Sequence, residues 1–181
     1  MIHLTTILTT DKKHLIGIKM IYESSFPDNE RRDFTQLVEL LDDDRFKLKG
    51  IFIDDDLVGF ISYWDFNVFM YVEHFAISDV LRNNGLGTHV LQSLLEENLN
   101  KMLLEVDLPS DPISFKRIKF YERLGFVICH EEYIQPPYGE GKEAVPMLIL
   151  SKPEIDNTNE FKTIVKTIHS EVYHQPDFLL R

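Results

Sequence analysis

Residues 81–91 read LRNNGLGTHVL: an arginine, two asparagines and a glycine pair that run straight into a stretch with helical spacing. Each glycine weakens a first helical turn by roughly 1 kcal/mol relative to alanine. A sequence that keeps Gly85 and Gly87 there needs a compensating gain. Without side chains in the way, the backbone N–H groups of the first turn close around an anion, and the helix dipole turns its positive end to the same point. A phosphate group suits such a turn.

Outward from this stretch, residues 67–77, NVFMYVEHFAI, carry the longest strand signal in the chain, and Val90, Leu91, Leu94 and Leu95 share one face of the helix that opens near Leu86. KMLLEVDL follows as a short strand, and the right-handed crossover rule makes the strands before and after the helix parallel partners or near neighbours. On the N-terminal side, IHLTTIL alternates as a strand, and Leu15, Ile18, Ile21 and Tyr22 mark a helix. A second helix carries Phe34, Leu37, Val38 and Leu41, with Asp28 or Asn29 as its expected cap. FKLKGIFIDDDLVGFISYWDF reads as a β-hairpin around an acidic tip. On the C-terminal side, ISFKRIKFYERLG predicts a helix that ends at a left-handed Gly125. FVICHEEYI and AVPMLILS predict two last strands joined by the loop QPPYGEGKE, and beyond Pro153 a final helix carries Phe161, Ile164, Val165 and Ile168 on one face. This divides the chain into a catalytic-size domain over 1–152 and a helical extension over 153–181.

The whole composition fits one sizeable core: 181 residues, 44% hydrophobic, with 13 Phe and 7 Tyr. Net charge is -11, with 30 acidic against 19 basic residues, which argues against broad contact with nucleic acid or an anionic membrane and suits a small cationic substrate. The single Cys129 excludes an intramolecular disulfide framework. No apolar run approaches the roughly 18 residues of a membrane helix, and the chain opens without a signal-peptide pattern, so a cytoplasmic location is expected. No metal site is expected either, since no CxxC occurs and His169 and His174 are five apart. Both a monomer and a homodimer stay open, because the last helix covers either its own core or a partner's.

Three phosphate-binding readings compete for the glycine pair. No GxxxxGK[ST] string exists, which removes nucleoside triphosphate hydrolysis. A dinucleotide fingerprint finds its first two glycines in Gly85 and Gly87 and an acid in Glu105, twenty residues after Gly85. Val90 stands where its third glycine belongs, however, and the link from strand to helix is too long for its tight turn. The third reading takes the whole segment VEHFAISDVLRNNGLGTHVL, which resembles the Gcn5-related N-acetyltransferase (GNAT) family with its (R/Q)xxGx(G/A) signature, here Arg82, Gly85 and Gly87. FYERLGF at 120–126 resembles that family's second hallmark.

The resemblance implies a mixed α/β fold: a mostly antiparallel sheet flanked by helices, splayed between its fourth and fifth strands, with the C-terminal helix as an addition. It implies acetyl-CoA as cosubstrate. The pyrophosphate would lie on Arg82, Asn83, Asn84, Gly85, Leu86, Gly87 and Thr88, and the pantetheine arm along Phe75, Ala76 and Ile77. Ser114 stands where the family often has an asparagine that supports the cofactor. Acceptor contacts would come from Phe26, Glu30 and Arg31 in the first inter-helix loop and from Tyr138 and Glu140 in the last long loop. Tyr121 matches the tyrosine that gives a proton to the departing thiolate.

Acetyl transfer to an amine also needs a base. Strict alternation along 69–77 sets Glu73 on an aromatic face with Phe69, Tyr71, Phe75 and Ile77, where desolvation would raise its pKa toward neutrality, and sets His74 on the opposite face. Glu73 is therefore the expected base, His74 a packed histidine, and Cys129 a buried strand residue and no acyl carrier. The expected reaction is direct transfer from acetyl-CoA to a small primary amine. A protein amine as acceptor, or a non-catalytic acyl-CoA-binding module, are the alternatives.

Overall fold

The computed structural model describes residues 1–178. By compactness the chain divides into two units, one spanning Met1–Asn100 and one running onward from Lys101. Each unit has its own antiparallel strands and its own covering helices, in the mixed α/β class that the sequence predicts.

The first unit orders its strands β1 (Ile2–Thr6), β2 (Phe46–Ile53), β3 (Asp56–Asp65) and β4 (Phe69–Ile77), each antiparallel to the next. The expected hairpin is β2 and β3, with Ile53 paired to Asp56 and Asp54 at φ 52 in the tip. A short polar residue tolerates that left-handed conformation best after glycine. Helix α1 (Lys12–Ser25) buries Leu15, Ile18 and Tyr22, and Tyr22 packs on Phe60 and His74 at ring-centroid distances of 5.9 and 4.9 Å. On the other face, Ile51 and Ile77 cluster with Leu86 and Val90 of α3 (Leu86–Glu97).

Helix α2 (Phe34–Glu39) starts later than expected. Pro27, with φ -58, leads into a 3-10 turn over Asp28–Glu30, and Asp33, not Asp28 or Asn29, caps α2 in a capping box with Gln36. Asp28 and Asn29 lie inside that earlier turn.

In the second unit β5 (Lys101–Asp107) runs antiparallel to β8 (Val145–Lys152), from Met102 opposite Lys152 to Asp107 opposite Met147. Helix α4 (Pro112–Arg123) closes at Gly125, whose φ of +87 is the left-handed stop that the sequence predicts. The stretch expected as one strand, FVICHEEYI, splits into β6 (Val127–Ile128) and β7 (Tyr133–Gln135), both paired to β8. Ile128 faces Leu150 and Tyr133 faces Met147, so the four residues 129–132 lie opposite only two, 148 and 149, and the surplus must leave the ladder. Helix α5 (Thr158–Thr167) and a π-helical turn over Ile168–Val172 bury Phe161, Ile164, Val165 and Ile168. This C-terminal segment belongs to the second unit: Lys101 bonds to Glu160 (2.6 Å) and Tyr173 to Glu105 (2.8 Å). No helix among the described residues is long and apolar enough to cross a membrane. No group of three or more His, Cys, Asp or Glu among them is placed to hold a metal ion.

Candidate active site

Past Ile77 the chain makes a 3-10 turn over Asp79–Leu81, and Asn83 (φ 66) and Gly85 (φ 78) then take left-handed conformations before α3 begins at Leu86. A Cβ built at Gly85 meets no heavy atom within 4 Å, so the backbone angle rather than crowding calls for glycine here. Gly85 is the N-cap without a side-chain cap bond, and the first turn holds no acidic residue. The leading N–H groups of a helix have no intrahelical partner, and they sit at its positive end. This donor set fits the pyrophosphate of a coenzyme A thioester. Asn83, Asn84 and Gly85 are exposed, Gly87 and Thr88 half-buried, and Leu86 is sunk in the core as the anchor of the turn. Arg82 braces the loop from behind, donating from Nε to the Ile77 carbonyl (3.0 Å) and from Nη2 to Ser25 (3.2 Å) while pairing with Asp79 (2.6 Å). Phe75 is half-buried, and Ala76 and Ile77 are buried.

Alternation fails at Glu73. Ser62 of β3 faces His74, but the next residue, Tyr63, faces Val72, which leaves Glu73 as a bulge with no partner position on β3. One extra residue shifts the alternation beyond it. Glu73 and His74 consequently both point to the α1 face, where the first meets Trp64 and Arg32 and the second packs on Tyr22 and Phe26. The opposite faces expected for the two residues are thus corrected.

The expected elevation of the Glu73 pKa is corrected as well. Its side chain is 1% exposed, and burial alone would push it up. Arg32 donates to Oε1 from Nε (3.1 Å) and Nη2 (2.5 Å), and the Trp64 indole donates to Oε2 (2.7 Å). The charge of Arg32 and these bonds outweigh burial, and Glu73 lies below the ordinary carboxylate range. A carboxylate held this way is a poor base at neutral pH. His74 is no substitute: burial pushes it down to about 4. Its Nε2 lies 3.0 Å from the Glu30 carbonyl, which only accepts, so the ring is a neutral imidazole protonated at Nε2.

The loop residues expected to meet the acceptor in the first unit lie beside this cluster. Phe26 caps α1 and packs on Phe60 and His74, Arg31 donates from Nε to the Phe26 carbonyl (3.1 Å), and Glu30 offers its carbonyl to His74. All three are half-buried.

In the second unit Tyr121 is buried on α4 between Phe120 and Phe126, and burial pushes its phenol up to about 12. Ser114 is committed elsewhere. Its hydroxyl accepts from the N–H groups of Ser110 and Asp111 and donates to the Asp111 carbonyl, closing the capping box that starts α4. A cofactor contact of the kind expected for Ser114 would have to share a hydroxyl already engaged in this cap. Glu140 is exposed, whereas Tyr138 is buried against Tyr173 at 4.8 Å. Sequence reasoning missed the cluster that Tyr138 joins: Glu105 accepts from the Tyr133 hydroxyl at one oxygen and from Tyr173 at the other. Its signal was a carboxylate interrupting an apolar strand, LLEV, the same signal that singled out Glu73.

A profile of the acetyltransferase (GNAT) family matches residues 15–126. Among solved structures, a protein of Bacteroides thetaiotaomicron assigned to that family has a TM-score of 0.88 at 37% identity, over 94% of this chain and 98% of its own. The ribosomal-protein-S18-alanine N-acetyltransferase of Escherichia coli has a TM-score of 0.63 at 18% identity, over 88% of this chain and 98% of its own. An aminoglycoside 6'-N-acetyltransferase complexed with coenzyme A has a TM-score of 0.63 at 17% identity, over 85% and 99%. Likeness at those two identities speaks for the fold alone. Among curated proteins no sequence matches this one. A family match over more than half of the chain, joined to a relative 37% identical along nearly all of it, means that this protein belongs to the GNAT acetyltransferases, a family whose fold implies acyl transfer from acetyl-CoA.

Proposed function

We propose that the protein transfers an acetyl group from acetyl-CoA to a primary amine by direct attack in a ternary complex. The observation that carries this reading is the first turn of α3, where a left-handed Gly85 opens a helix whose leading N–H groups have neither a side-chain cap nor an acidic neighbour in that turn. Acetyl-CoA supplies the activated acyl carbon and the thiolate leaving group. The chain's own residues do the rest: the turn at 82–88 binds the pyrophosphate, and 75–77 guide the arm. Tyr121, protonated throughout the physiological range because burial pushes it up to about 12, gives its proton to the departing thiolate as the C–S bond breaks and regains one from water, which receives the proton of the amine.

The amine's own proton goes to water. In the first unit Glu73 is held ionised by Arg32 and Trp64, and His74 is kept neutral toward the Glu30 carbonyl. The rate would then rise with pH toward the acceptor's own pKa. A small amine is the acceptor we favour, because a chain with net charge -11 attracts a compact cation and keeps few basic residues for a macromolecular anion.

Calorimetric titration with coenzyme A tests the cosubstrate assignment. Wild-type protein should bind, and Gly87→Val, which puts a branched side chain into the turn, should bind at least about tenfold more weakly, roughly 1.4 kcal/mol. Equal affinity in a folded variant would remove the phosphate-binding role of the turn.

A further inference from the structure

We propose that Arg32 and Glu73 form a buried latch that positions the acceptor-binding segment 26–33 on the face of β4, so that Glu73 serves the reaction as a positioning residue and not as its base. The inference rests on the acetyltransferase reading only for the word acceptor. The latch itself is a matter of geometry.

Between the end of α1 at Ser25 and the start of α2 at Phe34 the chain holds only the 3-10 turn Asp28–Glu30. No strand ladder fixes this stretch, yet it carries Phe26, Glu30 and Arg31. Side chains fix it instead. Arg32 is 6% exposed and Glu73 1%, and their two-point bond through Nε and Nη2 sets direction as well as distance. The Trp64 indole takes the other carboxylate oxygen and stops it from turning. The peptide of the segment is gripped too: the Tyr22 hydroxyl accepts from the Arg32 N–H (3.0 Å) and donates to the Arg32 carbonyl (3.1 Å). One turn back, His74 holds the Glu30 carbonyl at 3.0 Å. The latch thus ties α1, β3 and β4 to one irregular stretch. Its charges cancel internally, so it adds no net attraction for a cationic amine, and its contribution is placement.

Two variants separate placement from proton transfer. Glu73→Gln keeps the shape and removes the charge, and Arg32→Lys keeps the charge and removes the fork. Both should raise KM for the amine about tenfold or more while KM for acetyl-CoA stays within about twofold, an amine-side loss of roughly 1.4 kcal/mol. The deficit in kcat/KM should be the same across the pH range. A Glu73→Gln deficit that shrinks as pH rises would make Glu73 the base and overturn the proposal. Hydrogen exchange on the free protein reads the latch without any substrate. In the wild type the Arg32 amide should exchange as slowly as the amides of β3, and in Arg32→Lys the segment 28–33 should exchange at least about tenfold faster with β3 unchanged. Fast exchange at Arg32 in the wild type overturns the latch even if neither variant folds. Slow exchange there with no acetylated amine from any acceptor would leave the latch standing and remove the acetyltransferase reading.

Discussion

At the scale of single residues, Tyr121 and Gly85 make separable claims. Tyr121→Phe retains the packing against Phe120 and Phe126 and loses only the hydroxyl. It should lower kcat by about ten- to ten-thousand-fold with little change in Tm, the range for loss of a partly or fully engaged general acid, and steady-state kinetics beside a thermal melt checks both. Gly85→Ala forces a Cβ onto a residue with φ 78, at a cost of about 1–2 kcal/mol. A lowered Tm and weaker coenzyme A binding in that variant are the expected results. Two local signals were legible from the string itself: the opening of α3 at the glycine pair and the left-handed stop at Gly125. The faces of Glu73 and His74 were not, because period-two alternation holds only in an unbroken ladder. The bulge at Glu73 arises from the register against β3, some ten residues away across a turn, and no residue type inside FMYVEHFAI announces it.

Among elements, the C-terminal helix was the most readable and its partners the least. Phe161, Ile164, Val165 and Ile168 recur at helical spacing, and all four are buried. Their burial makes the segment part of the second unit's core, so Phe161→Ala should cost about 3–5 kcal/mol and lower Tm by many degrees. Chemical denaturation curves check the figure, and a loss under about 1 kcal/mol would mean the helix is a loose addition. The bonds of Tyr173 to Glu105 and of Gln175 to the Pro137 carbonyl link residues far apart in the chain, 68 and 38 positions respectively, and only folding brings them together. The same limit explains the cap of α2. Asp28, Asn29 and Asp33 are all acceptable capping residues by type, and the choice of Asp33 follows from the 3-10 turn that takes the first two.

On the scale of the whole molecule, buried titratable groups set the response to acid. His74 and His169 are both pushed by burial from 6.5 to about 4. Below pH 6.5 the unfolded chain takes up protons that the folded chain refuses, so stability falls as pH drops from there toward 4. Each histidine contributes about 2 kcal/mol of that loss by pH 5. Glu73, lowered in the fold, adds a further loss once pH falls below the unfolded value of 4.5. Tm measured from pH 7 to pH 4 should therefore decline steeply, and His74→Gln should flatten the upper part of the decline. A flat Tm profile between pH 6.5 and 5 would show that the two rings are not held neutral. Acetyl transfer itself is tested most directly by incubating the wild-type protein with acetyl-CoA and a panel of small primary amines, following free thiol and the mass of each amine together. The account predicts thiol release that depends on the amine, matched one for one by acetylated product and growing with pH. Tight binding of acetyl-CoA with no amine-dependent thiol from any member of the panel, small or peptidic, would contradict it and leave an acyl-CoA-binding module in its place.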